Sequence, residues 1–190
     1  MENKKERIIG VAQKIFARFG IQKSTMDEIA KMTRMGKATL YYYFKSKEDI
    51  FAEVIKKESR ILKQKLIEEI IKADSPQAQL KAYVHTRMKH LKELSNYYTT
   101  LTDEYMEHYS FVEKEREEFT AHEISTIASI LESGVKKGIF NLEDVQLTAQ
   151  MVTIALKGLE YPLLIECKDD NIEHTIDAML DILFRGLEKR

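Results

Sequence analysis

The residue types best suited to chemistry in this chain are concentrated between positions 25 and 47, in the run TMDEIAKMTRMGKATLYYYFKSK. Between Ile29 and Lys47 the run contains five basic side chains and no acidic one. Lysine and arginine neutralise phosphate charge, and tyrosine hydroxyls donate hydrogen bonds to phosphate oxygens. The combination indicates contact with nucleic acid, whereas the charge by itself is equally compatible with an ordinary basic surface in solvent.

The basic charge is confined to the beginning of the chain. Residues 1–50 contain eleven basic and six acidic side chains, a net charge of +5, although the whole chain of 190 residues carries only −1. The rest of the chain therefore carries a net charge of −6. A polyanion would be attracted to the first part alone, and this division favours a nucleic-acid partner.

Helix signals around the basic run predict a helix-turn-helix. Thr25 and Glu28 have the spacing of a capping box, which opens a short helix, and Gly36 separates that helix from a second one over Lys37 to Tyr43. The second helix of such a motif lies in the major groove of DNA and reaches base edges from its first turn. The predicted DNA contacts are Thr25, Arg34, Lys37, Thr39, Tyr41, Tyr43 and Lys47, with Lys37 and Thr39 directed at bases and the tyrosines and Lys47 at phosphates.

Glycine and proline are scarce, with 7 and 2 residues in the whole chain. Sheets joined by tight turns need more of both, so the composition predicts long helices and argues against a β-sandwich or barrel. The single cysteine, Cys167, excludes an intrachain disulfide and suits a reducing compartment. The charged start MENKKERIIGV is unlike a signal peptide, and charges interrupt the most apolar stretch, so a cytoplasmic protein is expected.

Apolar periodicity continues along the chain and predicts an all-α fold with about nine helices. The first helix ends at Gly20, which takes a left-handed backbone conformation at little cost. A fourth helix begins after Ser46 and reaches about Lys72, and Ser75 caps a fifth that breaks near residues 94–96. Later helices are predicted up to about Tyr109 and over residues 111–135, 142–166 and 171–187, with either Gly138 ending one of them or Asn141 capping the next.

The segments RIIGVAQKIFARFG, TMDEIAKMT and TLYYYFKSKEDIF together resemble the TetR family of one-component transcriptional regulators over residues 7–51. At the turn and second helix, where the family reads like AGVSKGTLYxYF, this chain has TRMGKATLYYYF. Arg34 therefore replaces the usual turn glycine, and Gly36 replaces the usual serine cap. A residue other than glycine is strained where φ is positive, so Arg34 must tolerate that geometry.

The resemblance implies a three-helix, helix-turn-helix DNA-binding domain over residues 1–47 and a helical-bundle domain for ligand binding and dimerisation over residues 48–190. It implies a regulator, expected to be a repressor, that binds a palindromic DNA operator as a homodimer and is released by a small apolar or aromatic effector. No cofactor is expected, and no metal, because none of the five histidines forms an i, i+4 pair. An enzyme on a helical bundle and a protein-interaction module with an acidic partner are the alternatives.

The family dimerises through its last two helices, and the last two helices predicted here are rich in apolar residues. The eighth is apolar on nearly all sides, and the ninth has an apolar stripe broad enough for both a core and a partner. Burial within one protomer is the alternative. The predicted dimer contacts are Val152, Leu156, Leu159, Ile176, Leu180 and Leu183.

An aromatic face in the middle of the chain predicts an effector site, although such a face also suits plain core packing. Eight acidic residues between positions 103 and 123 favour an aromatic cation, and an acyl ligand with its head group near Arg87 is equally compatible. The predicted effector contacts are Arg87, Leu91, Tyr98, Leu101, Tyr105, Phe119, His122 and Tyr161.

Overall fold

A computed structural model describes residues 3–93, 105–161 and 172–187, of which 105–109, 161 and 172 are described by their backbone alone. The described residues form nine helices, and the all-α prediction is confirmed. We number them α1 to α9 in chain order. Their bounds are Lys4–Lys23, Met26–Thr33, Lys37–Tyr43, Lys47–Lys72, Pro76–Glu93, Tyr105–Glu115, Glu117–Lys136, Val145–Tyr161 and Ile172–Leu187.

The described residues divide into two compact units. Residues 3–60 and 105–116 form the first, called here the head unit, and residues 61–93, 117–161 and 172–187 form the second, the body unit. The helix α4 contributes residues to both. The predicted division into a DNA-binding domain up to residue 47 and a ligand-binding domain after it stays a prediction. The two units are defined by backbone proximity, which does not test what each part of the chain binds.

A continuous apolar core holds the head unit together. Ile8, Ala12 and Phe16 of α1 are buried in this core, whereas Phe19, on the same predicted apolar side of the helix, is 50% exposed. The Phe16 ring meets the Phe51 ring of α4 edge to face, with 5.4 Å between ring centroids, which is a favourable arrangement for two aromatic rings. Leu40 anchors α3 in the same core, so the short third helix is held by packing rather than by its own length.

Gly20 interrupts α1 where the sequence predicted its end, although helical residues continue to Lys23, and the start of α2 is as predicted. Gly20 interrupts the helical backbone with φ 79° and ψ 164°, so the positive φ is confirmed, although ψ differs from the left-handed helical value that was expected. The capping box is complete. The Thr25 hydroxyl accepts a hydrogen bond from the Glu28 amide at 3.2 Å, and the Glu28 carboxylate accepts one from the Thr25 amide at 2.9 Å.

The turn between α2 and α3 concentrates its strain on one residue. Arg34 has φ 53° and ψ 39°, a left-handed conformation, and its amide donates to the Lys31 carbonyl at 3.1 Å. Gly36, in contrast, has φ −66° and ψ 146°, which any residue can adopt. The expected strain therefore lies at Arg34, and α3 begins without a side-chain cap.

The helix that was predicted over residues 111–135 has a different beginning. The helix α6 covers Tyr105–Glu115, and α7 begins only at Glu117. Val112 of α6 is buried in the head core, whereas Phe119 of α7 lies in the body unit, so the residues on either side of the break belong to different units. No glycine or proline marks the break between them.

The predicted end of α7 is confirmed at Gly138, which has φ 71°. Its amide donates to the Val135 carbonyl, and the Ile139 amide donates to the Gly134 carbonyl, both at 2.9 Å, which is a Schellman motif. The predicted start of α8 at Leu142 is wrong by one turn. The helix begins at Val145, because the Asp144 carboxylate accepts from the Leu147 amide at 2.9 Å. No described helix is long and apolar enough to cross a membrane.

Candidate nucleic-acid interface

The short helix α3 presents one face to solvent and buries the other. Leu40 is fully buried, and Phe44 follows it into the core one turn later. Lys37 and Tyr41 are exposed, with 51% of the Tyr41 surface accessible, whereas Thr39 and Tyr43 are half-buried. Four of the predicted DNA contacts therefore lie on one short helix, and two of them, Lys37 and Tyr41, are exposed enough to contact DNA.

Tyr42 is a candidate contact that the sequence reasoning did not select. Its side chain is 82% exposed, more than that of Tyr41, and its ring meets the Tyr43 ring edge to face with 5.1 Å between centroids. The exposure of Tyr42 could have been predicted from the spacing of the apolar residues Leu40 and Phe44. Because Leu40 and Phe44 lie on the buried side, the residue midway between them must face away from the core.

Lys37 is paired within the head unit. Its Nζ lies 2.5 Å from Asp27 Oδ2 at the start of α2, and both side chains are largely exposed. The hydrogen bond from Lys37 to Asp27, together with the attraction between the two charges, raises the pKa of Lys37. A DNA base or phosphate that binds the Lys37 ammonium group would therefore have to displace the Asp27 carboxylate from it.

Lys47 supports the backbone at the end of α1. Its Nζ donates to the carbonyl oxygens of Gln22 at 3.0 Å and Ser24 at 3.2 Å. These contacts fix the segment that leads from α1 into the helix-turn-helix. Contact of Lys47 with phosphate stays a prediction, as do the contacts of Arg34, which is exposed, and of Thr25, whose hydroxyl and amide are bonded to Glu28.

Arg87, a predicted effector contact, lies in a buried charged cluster of the body unit. Its Nε donates to Glu123 Oε1 at 2.6 Å, and its Nη2 donates to Glu160 Oε1 at 2.5 Å. The Tyr83 hydroxyl donates to the same Glu123 oxygen at 2.7 Å. Burial by itself would lower the pKa of Arg87, but the two carboxylates overcome that effect and raise it.

The other predicted effector contacts are only partly covered by the structure. Leu91 and Phe119 are buried in the body unit, and His122 is half-buried. Tyr98 and Leu101 lie outside the described residues, and the side chains of Tyr105 and Tyr161 do as well. Glu123 and Glu160 were not predicted as site residues. Glutamate is rarely buried, and a sequence gives no local sign of the exceptions.

The predicted dimer contacts need a correction. Val152, Leu156, Ile176 and Leu180 are buried inside the protomer, so these four side chains pack within one chain instead of facing a partner. Leu159 and Leu183 are partly exposed, and their role stays a prediction. Among the described residues of these two helices, the large apolar side chains that are exposed are Leu147, Met151, Ile154 and Ile182.

Two short helices joined by a tight turn, with Lys37, Tyr41 and Tyr42 exposed on the second, form a helix-turn-helix, an arrangement typical of DNA-binding proteins. Comparison with known proteins agrees. The pattern described as bacterial regulatory proteins of the tetR family matches residues 8–54, and that described as the tetracyclin repressor-like C-terminal domain matches residues 76–180. The chain therefore belongs to the TetR family of bacterial transcriptional regulators, which confirms the resemblance seen in its sequence.

Individual relatives extend this similarity over the whole chain. The chain is 29% identical to the uncharacterised HTH-type regulator YhgD of Bacillus subtilis, over 77% of each chain. It is 25% identical to the HTH-type transcriptional regulator QacR of Staphylococcus aureus, over 98% of this chain and all of that one. A crystal structure of a transcriptional regulator from Cytophaga hutchinsonii has a TM-score of 0.76 and 29% identity over 97% of this chain and 98% of that one.

Proposed function

We propose that this regulator is a repressor that binds a palindromic operator as a homodimer and is released by a small effector held in the body unit. The observation that carries the DNA-binding step is the solvent face of α3, where Lys37, Tyr41 and Tyr42 stand together on a segment without acidic residues. Lysine and tyrosine at these positions supply a cation and phenol hydroxyls for base edges and phosphates.

The proposed dimer uses an exposed apolar stripe on α8. Leu147, Met151 and Ile154 recur at intervals of four and three residues, so they lie on one side of the helix, and they are 54%, 58% and 62% exposed. Pairing with the same stripe of a second copy would remove these side chains from water. Two heads related by a two-fold axis would then read two half-sites about 10 base pairs apart.

The proposed release depends on α4. This helix has 26 residues and is therefore about 39 Å long, and it supplies residues to both units. A stiff element of this length can convert a small shift in the body into a change in the spacing of the two heads. Because coupling between two binding sites is reciprocal, operator DNA should weaken effector binding by the same factor, about 5- to 150-fold.

The proposal is tested by selecting DNA with the purified protein from a pool of random duplexes. The selected sequences should contain an inverted repeat, and light scattering should give a mass of about twice the 22.2 kDa chain. A pool that shows no sequence enrichment would contradict DNA recognition. A monomer at micromolar concentration would contradict the homodimer.

A further inference from the structure

We infer that a groove of the body unit binds a small organic carboxylate, whose head group is held by the buried ring of His90. The groove has a volume of about 610 Å³, within the range of small-molecule sites, and is lined by residues of α4, α5 and α9. The lining residues on which the inference rests are Lys65, Met88, Lys89, His90, Lys92 and Ile176. Arg87 and its two carboxylate partners do not line this groove, so the inference goes beyond the proposed function and does not depend on it.

The first argument is the protonation of the His90 ring, which is 5% exposed. Lys65 Nζ lies 2.9 Å from His90 Nδ1, and because an ammonium group can only donate, Nδ1 accepts and carries no proton. Glu93 Oε2 is 3.7 Å from the same nitrogen, which is too far for a hydrogen bond. Burial first and Lys65 second lower the pKa of His90, so the ring is neutral at pH 7. Its single ring proton is therefore on Nε2.

The second argument is that this proton has no acceptor. His90 Nε2 is buried and has no hydrogen-bond partner among the described residues. A buried N–H group without an acceptor is unfavourable and rare in native proteins. A ligand oxygen that reaches Nε2 removes this penalty and leaves the bond from Lys65 intact. Because the atom is covered, a lining side chain must move to admit the ligand, and the long, exposed side chains of Lys89 and Lys92 are able to do so.

The third argument is the charge along the groove, which favours an anionic acceptor over a neutral one. Lys89 and Lys92 form no ion pair with another described residue. Three of the four lining glutamates accept a hydrogen bond from a neighbouring side chain, namely Glu68 from Gln64, Glu69 from Lys72 and Glu93 from Lys65. Only Glu173, at the exposed start of α9, has no such donor among the described residues. Two unpaired cations and a buried donor thus face one unpaired carboxylate.

The same glutamates limit the charge of the ligand. A phosphate group carries a charge of about −1.5 to −2 at pH 7, whereas a carboxylate carries a single charge and is repelled less by the acidic side chains of the groove. Met88 and Ile176, which also line the groove, are apolar and almost fully buried. They suit a short hydrocarbon group attached to the carboxylate.

The test uses benzoate and benzamide, which share a ring and a carbonyl oxygen and differ in charge. Calorimetry on the unmodified protein without DNA should show binding of benzoate, and binding of benzamide that is weaker by about tenfold or more. Phenyl phosphate should also bind less tightly than benzoate. Long-range ¹H–¹⁵N NMR spectra of the histidine rings should show His90 with its proton on Nε2, and this nitrogen signal should shift when benzoate is added.

Three variants then place benzoate in the groove. His90→Phe keeps a ring but removes the donor, and it should weaken benzoate binding by about tenfold or more. Lys89→Gln removes an exposed charge and should weaken it by about two- to fivefold. Lys136→Gln, at an exposed position of α7 outside the groove, should leave the affinity unchanged. Circular dichroism confirms that the variants are folded, and Lys89→Gln and the NMR shift decide the question if His90→Phe is not.

Four results would overturn the inference. Absence of benzoate binding by the folded protein would remove the site, and binding of benzamide or phenyl phosphate as tightly as benzoate would remove the carboxylate as its ligand. Equal affinities in His90→Phe and Lys136→Gln, or a His90 nitrogen signal that does not move with benzoate, would place the ligand elsewhere. None of these measurements involves DNA, so a failure of the proposed function leaves their outcome unchanged.

Discussion

The ammonium group of Lys37 is held by Asp27 in the free protein, and this pair sets up a competition with DNA. Asp27→Asn removes the competing carboxylate and a negative charge beside the interface. We expect operator affinity to rise by about two- to fivefold, since pairs this exposed are weak. Anisotropy titrations of a labelled duplex measure the change. Asp74→Asn, at an exposed position outside the head unit, is the control and should leave the operator affinity unchanged. If Asp27→Asn binds the operator no more tightly than the unmodified protein does, the competition is contradicted.

Lys47 has a structural role that can be separated from any contact with phosphate. Lys47→Ala removes the donor to the Gln22 and Ser24 carbonyls, so the free energy of unfolding should fall by about 1 kcal/mol. Denaturant unfolding monitored by circular dichroism measures this loss. Lys45→Ala removes an exposed lysine two residues earlier and should leave stability nearly unchanged. Equal stability of the two variants would contradict the support of α1 by Lys47.

Phosphate contact by Lys47 is measured through the salt dependence of DNA binding. If the ammonium group also neutralises one phosphate, Lys47→Ala lowers the slope of log affinity against log salt by about one. The titrations are made well below the unfolding transition of the variant, so that lost stability does not appear as lost affinity. An unchanged slope would leave Lys47 with its structural role alone.

At the scale of elements, α3 lacks the cap that its neighbours have. Gly36 has an ordinary backbone conformation, and a Cβ added there meets no atom within 4 Å. Gly36→Ser should therefore supply the missing cap and raise stability by about 0.5 to 1 kcal/mol. Thermal unfolding measures the gain. Gly138→Ser is the matched control, because φ is 71° there and the same substitution should destabilise. A loss of stability in Gly36→Ser would contradict the assignment of Gly36 as an uncapped helix start.

The helices that sequence reasoning placed well are those with local end signals. Gly20, the Thr25 capping box and Gly138 act through their own backbone or the next turn, so their effects are visible in a few residues of sequence. The break between α6 and α7 has no such signal, since it lies within the charged run EKEREE and separates residues that belong to different units. The position of this break depends on tertiary packing, which apolar periodicity does not reveal.

The same distinction applies to the candidate sites. The exposed face of α3 follows from the spacing of Leu40 and Phe44, and the omission of Tyr42 was a failure to apply that spacing. Burial of Glu123 and Glu160 has no sequence counterpart, because it depends on helices far apart in the chain. Periodicity likewise showed that α8 is apolar without showing which side faces the protomer core. That is why buried Val152 and Leu156 were predicted at the dimer surface.

At the scale of the whole molecule, the proposed dimer predicts opposite outcomes for two neighbouring positions on α8. Met151→Glu places a charge on the exposed stripe and should give a folded monomer, since Met151 is not needed by the protomer core. Leu156→Glu places a charge in that core and should unfold the protomer. Light scattering and circular dichroism distinguish the two. A Met151→Glu protein that remains a dimer would move the interface elsewhere.

The central claim, that α3 reads DNA sequence, is tested most directly by the affinity of the protein for a selected duplex and for a shuffled duplex of the same composition. The unmodified protein should prefer the selected duplex, and Lys37→Ala should lose about tenfold or more of that affinity while its binding to the shuffled duplex changes little. Equal affinity of the unmodified protein for the two duplexes, or a preference that survives unchanged in Lys37→Ala, would contradict the account.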